Sequence, residues 1–355
     1  YDADVSEYIA GWIIGIEWFQ NMVVGTNVAH ESIGQYSGTY FETKEASPFE
    51  HWLAMNMDYM LKYEADNYHW IRPMSFTNWV TTDLLDHPYE PTPETEDLVS
   101  VNPNHIYTKG DAQTTGQFAS YHVYPYYPDF LNFDETYLQY VDHRGNTNSY
   151  AGYLHDLRQA HDMPVLIAEF GIPSSRGSTH HNVYGWNQGG VSEQQQGEYL
   201  VSLFEDMMAE DYLGGLIFTW QDEWFKRTWN TMDYDNPERR PYWSNQQTSE
   251  QHFGLLAFET MKIKVDDDIN DWQDVTPLYA TPEANVSVTH DEAYLYVKLR
   301  GEALQTGEAR ILIDTISNQG NTTAASLPNV TMTNEAEFVI ELKQNGQSRA
   351  TIDPY

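Results

Sequence analysis

Pro164-Val165-Leu166-Ile167-Ala168-Glu169-Phe170-Gly171 is an apolar run that ends in a carboxylate, an aromatic ring and a glycine. A run without polar alternation suits a strand buried on both faces, as in a parallel sheet covered by helices. Glu169 then sits at a strand end, where a carboxylate is costly unless it has a partner or a task. The same grammar occurs upstream in Trp12-Ile13-Ile14-Gly15-Ile16-Glu17-Trp18. Three further runs complete the set: Pro73–Trp79, Phe118–Tyr124 and Gly215–Trp220.

Helix patterns fall between these runs. Phe49, Trp52, Leu53, Met57, Met60 and Leu61 follow the spacing of one helix face, and Tyr153, Leu154 and Leu157 do the same before the fourth run. Ser192 with Gln195 has the form of a capping box ahead of a stripe of Leu200, Leu203, Phe204 and Met207. Alternating strands and helices predict an α/β fold with a parallel sheet, and a (β/α)8 TIM barrel is its closed form. A barrel needs eight strands, yet five runs appear before residue 225 and sixteen residues precede Glu17. We therefore expect strands 4 to 8, with the first three missing from this sequence: upstream, or on another polypeptide.

After Phe258 the helix patterns stop. Alternating segments at 285–289, 293–299, 309–314, 337–342 and 350–353 predict an antiparallel β-sandwich, which sets domains at 1–258 and 259–355.

The composition narrows the partners. With 53 acids against 18 bases the net charge is −35, a field that repels nucleic acid and anionic membranes. The longest basic clusters are Lys226-Arg227 and Arg239-Arg240, too short to reverse it locally. The chain has no cysteine, which excludes disulfides and Cys-ligated zinc, and no apolar run of membrane-spanning length. It opens at Tyr1 without a Met and shows no signal peptide, so the true N-terminus is expected to have been removed or to lie upstream. Solubility in salt fits an extracellular protein, secreted or at the cell surface. The 26 Tyr and 11 Trp supply flat rings with polar tips, suited to stacking on sugars; a Tyr-rich core is the alternative.

The ordered set strand-Glu17, strand-His122-Val123-Tyr124, strand-Glu169-Phe170-Gly171 and strand-Trp220 resembles clan A glycoside hydrolases, especially family 5 and the barrel domain of family 2. The resemblance covers about residues 10–230. It implies that Glu17 ends strand 4 as the acid/base and Glu169 ends strand 7 as the nucleophile. It also implies that Tyr124 hydrogen-bonds the nucleophile and that Trp220 floors the sugar site. Such enzymes break the glycosidic bond between two carboxyls about 5 Å apart in the retaining class. Glu17 should begin protonated, its pKa raised by the neighbouring carboxylate and by burial against Trp18, while Glu169 stays ionised. One departure stands out. Family members carry Asn before the acid/base, where this chain has Ile16, so either another residue, with Asn78 as the candidate, takes the sugar 2-hydroxyl, or the family is a distant one.

Trp79, Tyr126, Trp186, Trp224 and Trp229 follow strand ends and are candidates to line sugar subsites, beside Trp18 and His122. The acidic stretch from Thr82 to Asp97 reads more as a solvated loop than as a cleft wall. His180-His181 has no evident third ligand, so no catalytic metal is expected. In the second domain Val265–Trp272, His290–Val297 and Ile311–Thr315 resemble family 9 carbohydrate-binding and DOMON-like sandwiches. The acidic cluster there could hold a structural Ca²⁺; a solvated turn is the alternative.

These features lead to an expected retaining β-glycosidase whose partner is a β-linked polysaccharide or oligosaccharide. A non-catalytic glycan-binding protein derived from such a barrel is the first rival, and a structural or adhesion protein the second. Retention of both carboxylates with His122, Tyr124 and Trp220 argues against both, because binding alone does not require that set.

Overall fold

The computed structural model describes residues 3–234, 236, 247–258, 261–264, 268–291, 294–301, 307–324, 327–343 and 348–352. The first compact unit, Tyr1–Phe258, has seven described strands: β1 (Trp12–Ile14), β2 (Phe41–Thr43), β3 (Met74–Trp79), β4 (Ile106–Thr108), β5 (Ala119–His122), β6 (Val165–Phe170) and β7 (Gly215–Ile217). Five of them form one parallel sheet in the order β1-β3-β5-β6-β7. β2 and β4 pair antiparallel as a separate ribbon.

The parallel sheet is a half-barrel, not a complete barrel. Among the described residues β1 pairs only with β3, and β7 only with β6. β7 covers just the first half of its apolar run. Thr219, Trp220 and Asp222 instead hydrogen-bond through their backbones to the segment Phe253–Leu256.

The helices Pro48–Tyr68 and Glu193–Ala209 each start on a complete capping box, Ser47 with Glu50 and Ser192 with Gln195. On the first, Phe49, Leu53, Met57 and Leu61 are buried against Val23, Phe41, Met74 and Phe76. On the second, Leu200, Leu203 and Met207 join Leu154 and Leu157 of the helix Ser149–Gln159 under β5 and β6. Several tyrosines lie in this second cluster. Tyr121, Tyr150, Tyr153 and Tyr212 are fully or nearly buried. Their hydroxyls pair with His161 Nε2 (2.9 Å), the Val123 carbonyl (3.3 Å), Asp83 Oδ2 (2.7 Å) and the Leu154 carbonyl (2.7 Å).

The second compact unit is Glu259–Tyr355. It contains β8 (Tyr279–Ala280), β9 (Ala284–His290), β10 (Leu295–Gly301), β11 (Glu308–Ile313), β12 (Phe338–Lys343) and β13 (Arg349–Ile352). They form two antiparallel three-stranded sheets, β10-β9-β8 and β11-β12-β13. Leu295, Val297 and Leu299 of one sheet, with Ala309, Ile311, Ile340 and Leu342 of the other, line a cavity of about 600 Å³. Of the acidic cluster, residues 265–267 lie outside the described residues, as does Arg239-Arg240. Asp268 accepts from the Asn270 backbone N–H at 2.9 Å, and Asp271 from that of Lys264 at 2.9 Å. Among the described residues no helix is long and apolar enough to cross a membrane.

Candidate active site

The carboxyl ends of β1, β3, β5 and β6 open into a cleft of about 690 Å³, within the range of small-molecule sites. Glu17, Glu169, His122 and Tyr124 meet there.

Each is placed by a local irregularity. β5 and β6 run in register until Tyr121 faces Ile167; the next pair is His122 with Glu169, so Ala168 is an extra residue on β6. This bulge brings the imidazole and the carboxylate side by side. Glu17 lies beyond the end of β1 at φ 34°, in the left-handed region that non-glycine residues rarely occupy. Its neighbour Gly15 has φ 72°, and a Cβ there would lie 1.9 Å from the Trp18 ring. Only glycine lets the indole tuck under the turn. Trp18 is in turn wedged edge-on against Phe49 and Trp52, with centroids at 5.3 and 6.2 Å. The turn that carries Glu17 is thus pinned to the core.

His122 Nδ1 stands 2.8 Å from Glu17 Oε1 and 3.3 Å from Glu169 Oε2. With its proton on Nδ1, the imidazole donates to the two carboxylates it faces. The Tyr124 hydroxyl donates to Glu169 Oε1. One oxygen of each carboxylate and the imidazole nitrogen all lie within 4.8 Å of one another. Burial pushes the Glu169 carboxyl above its ordinary pKa, and the charge on Glu17 adds to that; His122, the Tyr124 hydroxyl and Lys226 pull the other way. Burial and the Glu169 charge keep the Tyr124 phenol protonated far above its usual range. The same Glu17, His122 and Glu169 atoms could also hold a divalent cation, which would occupy the space between the carboxylates.

Of the expected sugar contacts, His122, Tyr124 and Trp79 line the cleft. Trp79 also donates its indole N–H to the Trp18 carbonyl at 3.1 Å, which couples the cleft wall to the Glu17 turn. Tyr126 and Trp229 line the cleft as well, and Trp186 packs against the core.

Four expectations are corrected. Trp18 is a core residue rather than a sugar contact, because its ring fills the space between Phe49 and Trp52. Asn78 is fully buried and turned away from the cleft. Its amide donates to the carbonyls of Thr82 (3.0 Å) and Val101 (2.9 Å), and its oxygen accepts from the Trp79 N–H (3.1 Å) and the Thr82 hydroxyl. Trp220 is 68% exposed and does not line the cleft; the backbone pairing with Phe253–Leu256 displaces it, and Phe218 and Phe253 supply the aromatic floor. Trp224 stands edge-on to Phe225 at 5.6 Å and is not part of the cleft lining.

The acidic loop also differs from the solvated loop expected. Asp83, His87 and Glu90 are buried, with His87 Nε2 3.1 Å from Asp83 Oδ2 and the Tyr153 hydroxyl on the same carboxylate. Glu96 reaches the cleft and accepts from the Tyr127 hydroxyl. His180 lines the cleft too, its ring 4.9 Å from Tyr127 and 5.7 Å from Trp229.

Sequence reading missed a second polar group in the cleft, formed by Gln188, Lys226 and Glu250. Lys226 lies 3.0 Å from Glu223 and 3.5 Å from Glu250, and Gln188 donates to Glu250 at 2.6 Å. Lys226 and Glu250 come from loops after β7 that carry no strand or helix period, so no pattern marked them. The one available signal was Lys226-Arg227, a basic pair in a strongly acidic chain.

No protein-family model matches this chain, and a comparison with curated proteins finds no match.

Proposed function

We propose that this chain carries the catalytic centre of a retaining β-glycoside hydrolase acting on a β-linked polysaccharide or oligosaccharide. The supporting observation is the pair of carboxylates at strand ends, with oxygens within 4.8 Å of each other across an open cleft. So close an approach of one oxygen from each carboxylate favours the retaining class, whose carboxyls stand about 5–5.5 Å apart, over the wider inverting one.

Glu169 is the nucleophile. Its oxygen attacks the anomeric carbon as the bond to the leaving oxygen breaks, and Glu17, as the general acid, gives a proton to that oxygen. Glu17 then removes a proton from water, the water oxygen attacks the anomeric carbon, and Glu169 departs as a carboxylate. The Tyr124 hydroxyl favours the ionised form of Glu169 before attack, and His122 holds the two carboxylates at their separation. Trp79, Tyr126, Phe218 and Trp229 offer ring faces to the sugar.

The finer architecture belongs to the same reading. In an eight-stranded barrel three further strands would bridge β7 to β1 and cover the two sheet edges that are unpaired among the described residues. The two sheets of the second unit form a carbohydrate-binding-type sandwich, and the protein works outside the cell.

Hydrolysis of a panel of aryl β-glycosides by the intact protein and by Glu169→Gln tests the proposal. We expect activity on at least one glycoside and a loss of about a thousandfold or more in the variant, as for removal of a catalytic nucleophile. Activity unchanged by the substitution would overturn the assignment. Glycan binding without any hydrolysis would favour a binding protein derived from the same cleft.

A further inference from the structure

The Glu250–Lys226 pair is unusual for a structural salt bridge because it lines the cleft that holds Glu17 and Glu169. Its side chains are 16% and 26% exposed, sheltered enough to be costly in isolation yet open to a ligand. The pair is built in from both sides. Gln188 donates to Glu250 at 2.6 Å and accepts from the Thr179 hydroxyl, which fixes the amide and hence the carboxylate. Glu223 holds Lys226 at 3.0 Å, and the ammonium sits 4.7 Å above the Phe218 ring.

The pair also lies close to the reacting carboxylates. Lys226 is among the charges that pull the Glu169 carboxyl down, and the Glu17 charge is among those that push Glu250 up, after burial and against Lys226. Burial alone would lower the Lys226 ammonium, but Glu250 and Glu223 outweigh it and hold Lys226 above its ordinary value. Lys226 is therefore a cation and a donor at any working pH.

A donor and an acceptor side by side over an aromatic ring match neighbouring hydroxyls on a sugar. One hydroxyl accepts from an ammonium N–H and the next donates to the carboxylate, while the sugar's C–H face has the other rings of the cleft lining, Trp79, Tyr126 and Trp229, to lie on. Each group has capacity for this: the Glu250 carboxylate has about four acceptor sites against two contacts among the described residues, and of the three Lys226 N–H donors two go to Glu223 and Glu250 and one is left to the Phe218 ring, a weaker acceptor than a sugar hydroxyl. We propose that Lys226 and Glu250, positioned by Glu223 and Gln188, form a subsite that reads a pair of adjacent hydroxyls on an uncharged sugar, and that the substrate is a neutral glycan. This rests on the glycosidase reading of the same cleft.

Charge explains why the sugar is neutral. Among the described residues Glu17, Glu96, Glu169 and Glu250 line the cleft, and the one lysine among them is already shared between Glu250 and Glu223. A carboxylate or sulfate on the sugar would meet net repulsion in a partly desolvated site.

Isothermal titration of cello-, manno-, xylo- and laminaritetraose, and of a β-linked mannuronate tetrasaccharide, into the Glu169→Gln protein tests this. At least one neutral sugar should bind, and the mannuronate should bind more weakly than mannotetraose. Adding Lys226→Met or Glu250→Gln should weaken the best neutral ligand by about tenfold to a hundredfold, the worth of one or two hydrogen bonds to charged groups. Monodeoxy derivatives of that ligand supply an arm without further substitution, should either variant fold poorly. One of them should reproduce the loss on the Glu169→Gln protein. In folded variants, judged by near-ultraviolet circular dichroism, that derivative should show little further loss. Affinity within about threefold in both variants, no single deoxygenation that matters, tighter binding of mannuronate, or no neutral ligand at all would each overturn the proposal. Selective neutral-sugar binding with no hydrolysis by the unsubstituted protein would leave the subsite standing and remove the catalytic reading instead.

Discussion

Tyr124→Phe removes one oxygen and nothing else from the contacts of Glu169. The phenyl ring keeps its neighbours Tyr126 (5.4 Å) and Phe253 (6.0 Å), so packing is preserved. What is lost is the hydrogen bond from the hydroxyl to Glu169 Oε1. Burial already holds the Glu169 carboxyl above its ordinary pKa, and the Tyr124 hydrogen bond is one of the few interactions opposing that rise. A hydrogen bond to a charged group contributes about 1.5–3 kcal/mol, and each pKa unit corresponds to about 1.4 kcal/mol. The substitution should therefore raise the carboxyl by about one to two units. A nucleophile works only when ionised, so activity falls as pH drops through its pKa. Raising the pKa moves that acid limb to higher pH. The pH profile of kcat/KM for an aryl β-glycoside reports this limb in the free enzyme. Wild type should show it above the ordinary glutamate range, and Tyr124→Phe about one to two pH units higher still. A limb that stays in place, or moves to lower pH, would refute the reasoning.

Three further outcomes follow from contacts around the cleft. Asn78→Ala takes the side-chain donor from the buried Val101 carbonyl, while the Thr82 carbonyl keeps the Val101 backbone N–H, and should cost about 1–3 kcal/mol of stability in denaturant unfolding, with sugar affinity in the folded protein unchanged. A loss of affinity at unchanged stability would restore Asn78 as a sugar ligand. Trp18→Ala should cost about 3–5 kcal/mol by emptying the space between Phe49 and Trp52. Trp229→Ala should leave Tm unchanged and weaken sugar binding several-fold, so equal effects of the two substitutions would contradict the division between core and cleft. Glu169→Gln should raise Tm by roughly a few degrees at pH 7. The sign follows from a folded pKa raised above the unfolded one: the ionised carboxylate costs stability above the folded value, and that cost disappears as pH falls below the unfolded value. The gain should fade on acidification, and a gain that grows instead would be inconsistent with a raised pKa.

The five strands were legible because a buried parallel strand leaves an uninterrupted apolar run, and the two capped helices because Ser47 with Glu50 and Ser192 with Gln195 are local signals. The positions of Glu17, His122, Tyr124 and Glu169 could be read for the same reason, as strand ends bring residues to one rim. Precise contacts were not legible. The bulge at Ala168 that sets His122 against Glu169 is a register event between two strands, and no single strand encodes it. Trp18 is a cleft candidate beside Glu17, and the family resemblance implies Trp220 as the floor of the sugar site. A ring's direction depends on the backbone beneath it: the Gly15 turn folds Trp18 inward, and the pairing with Phe253–Leu256 turns Trp220 outward. Asn78 is a candidate for its amide, but a buried amide within reach of the Thr82 and Val101 carbonyls is consumed by them. Lys226 and Glu250 stand 24 positions apart in loops, and only the folded chain brings them together.

The central claim is that Glu17 and Glu169 act from opposite faces of one anomeric carbon, close enough for a covalent intermediate. Proton NMR of the first sugar released from a β-glycoside, recorded before mutarotation, tests this most directly. Two displacements at the same carbon return its configuration, so the account predicts the β-anomer as the first product. Initial release of the α-anomer would mean a single displacement by water and would contradict it.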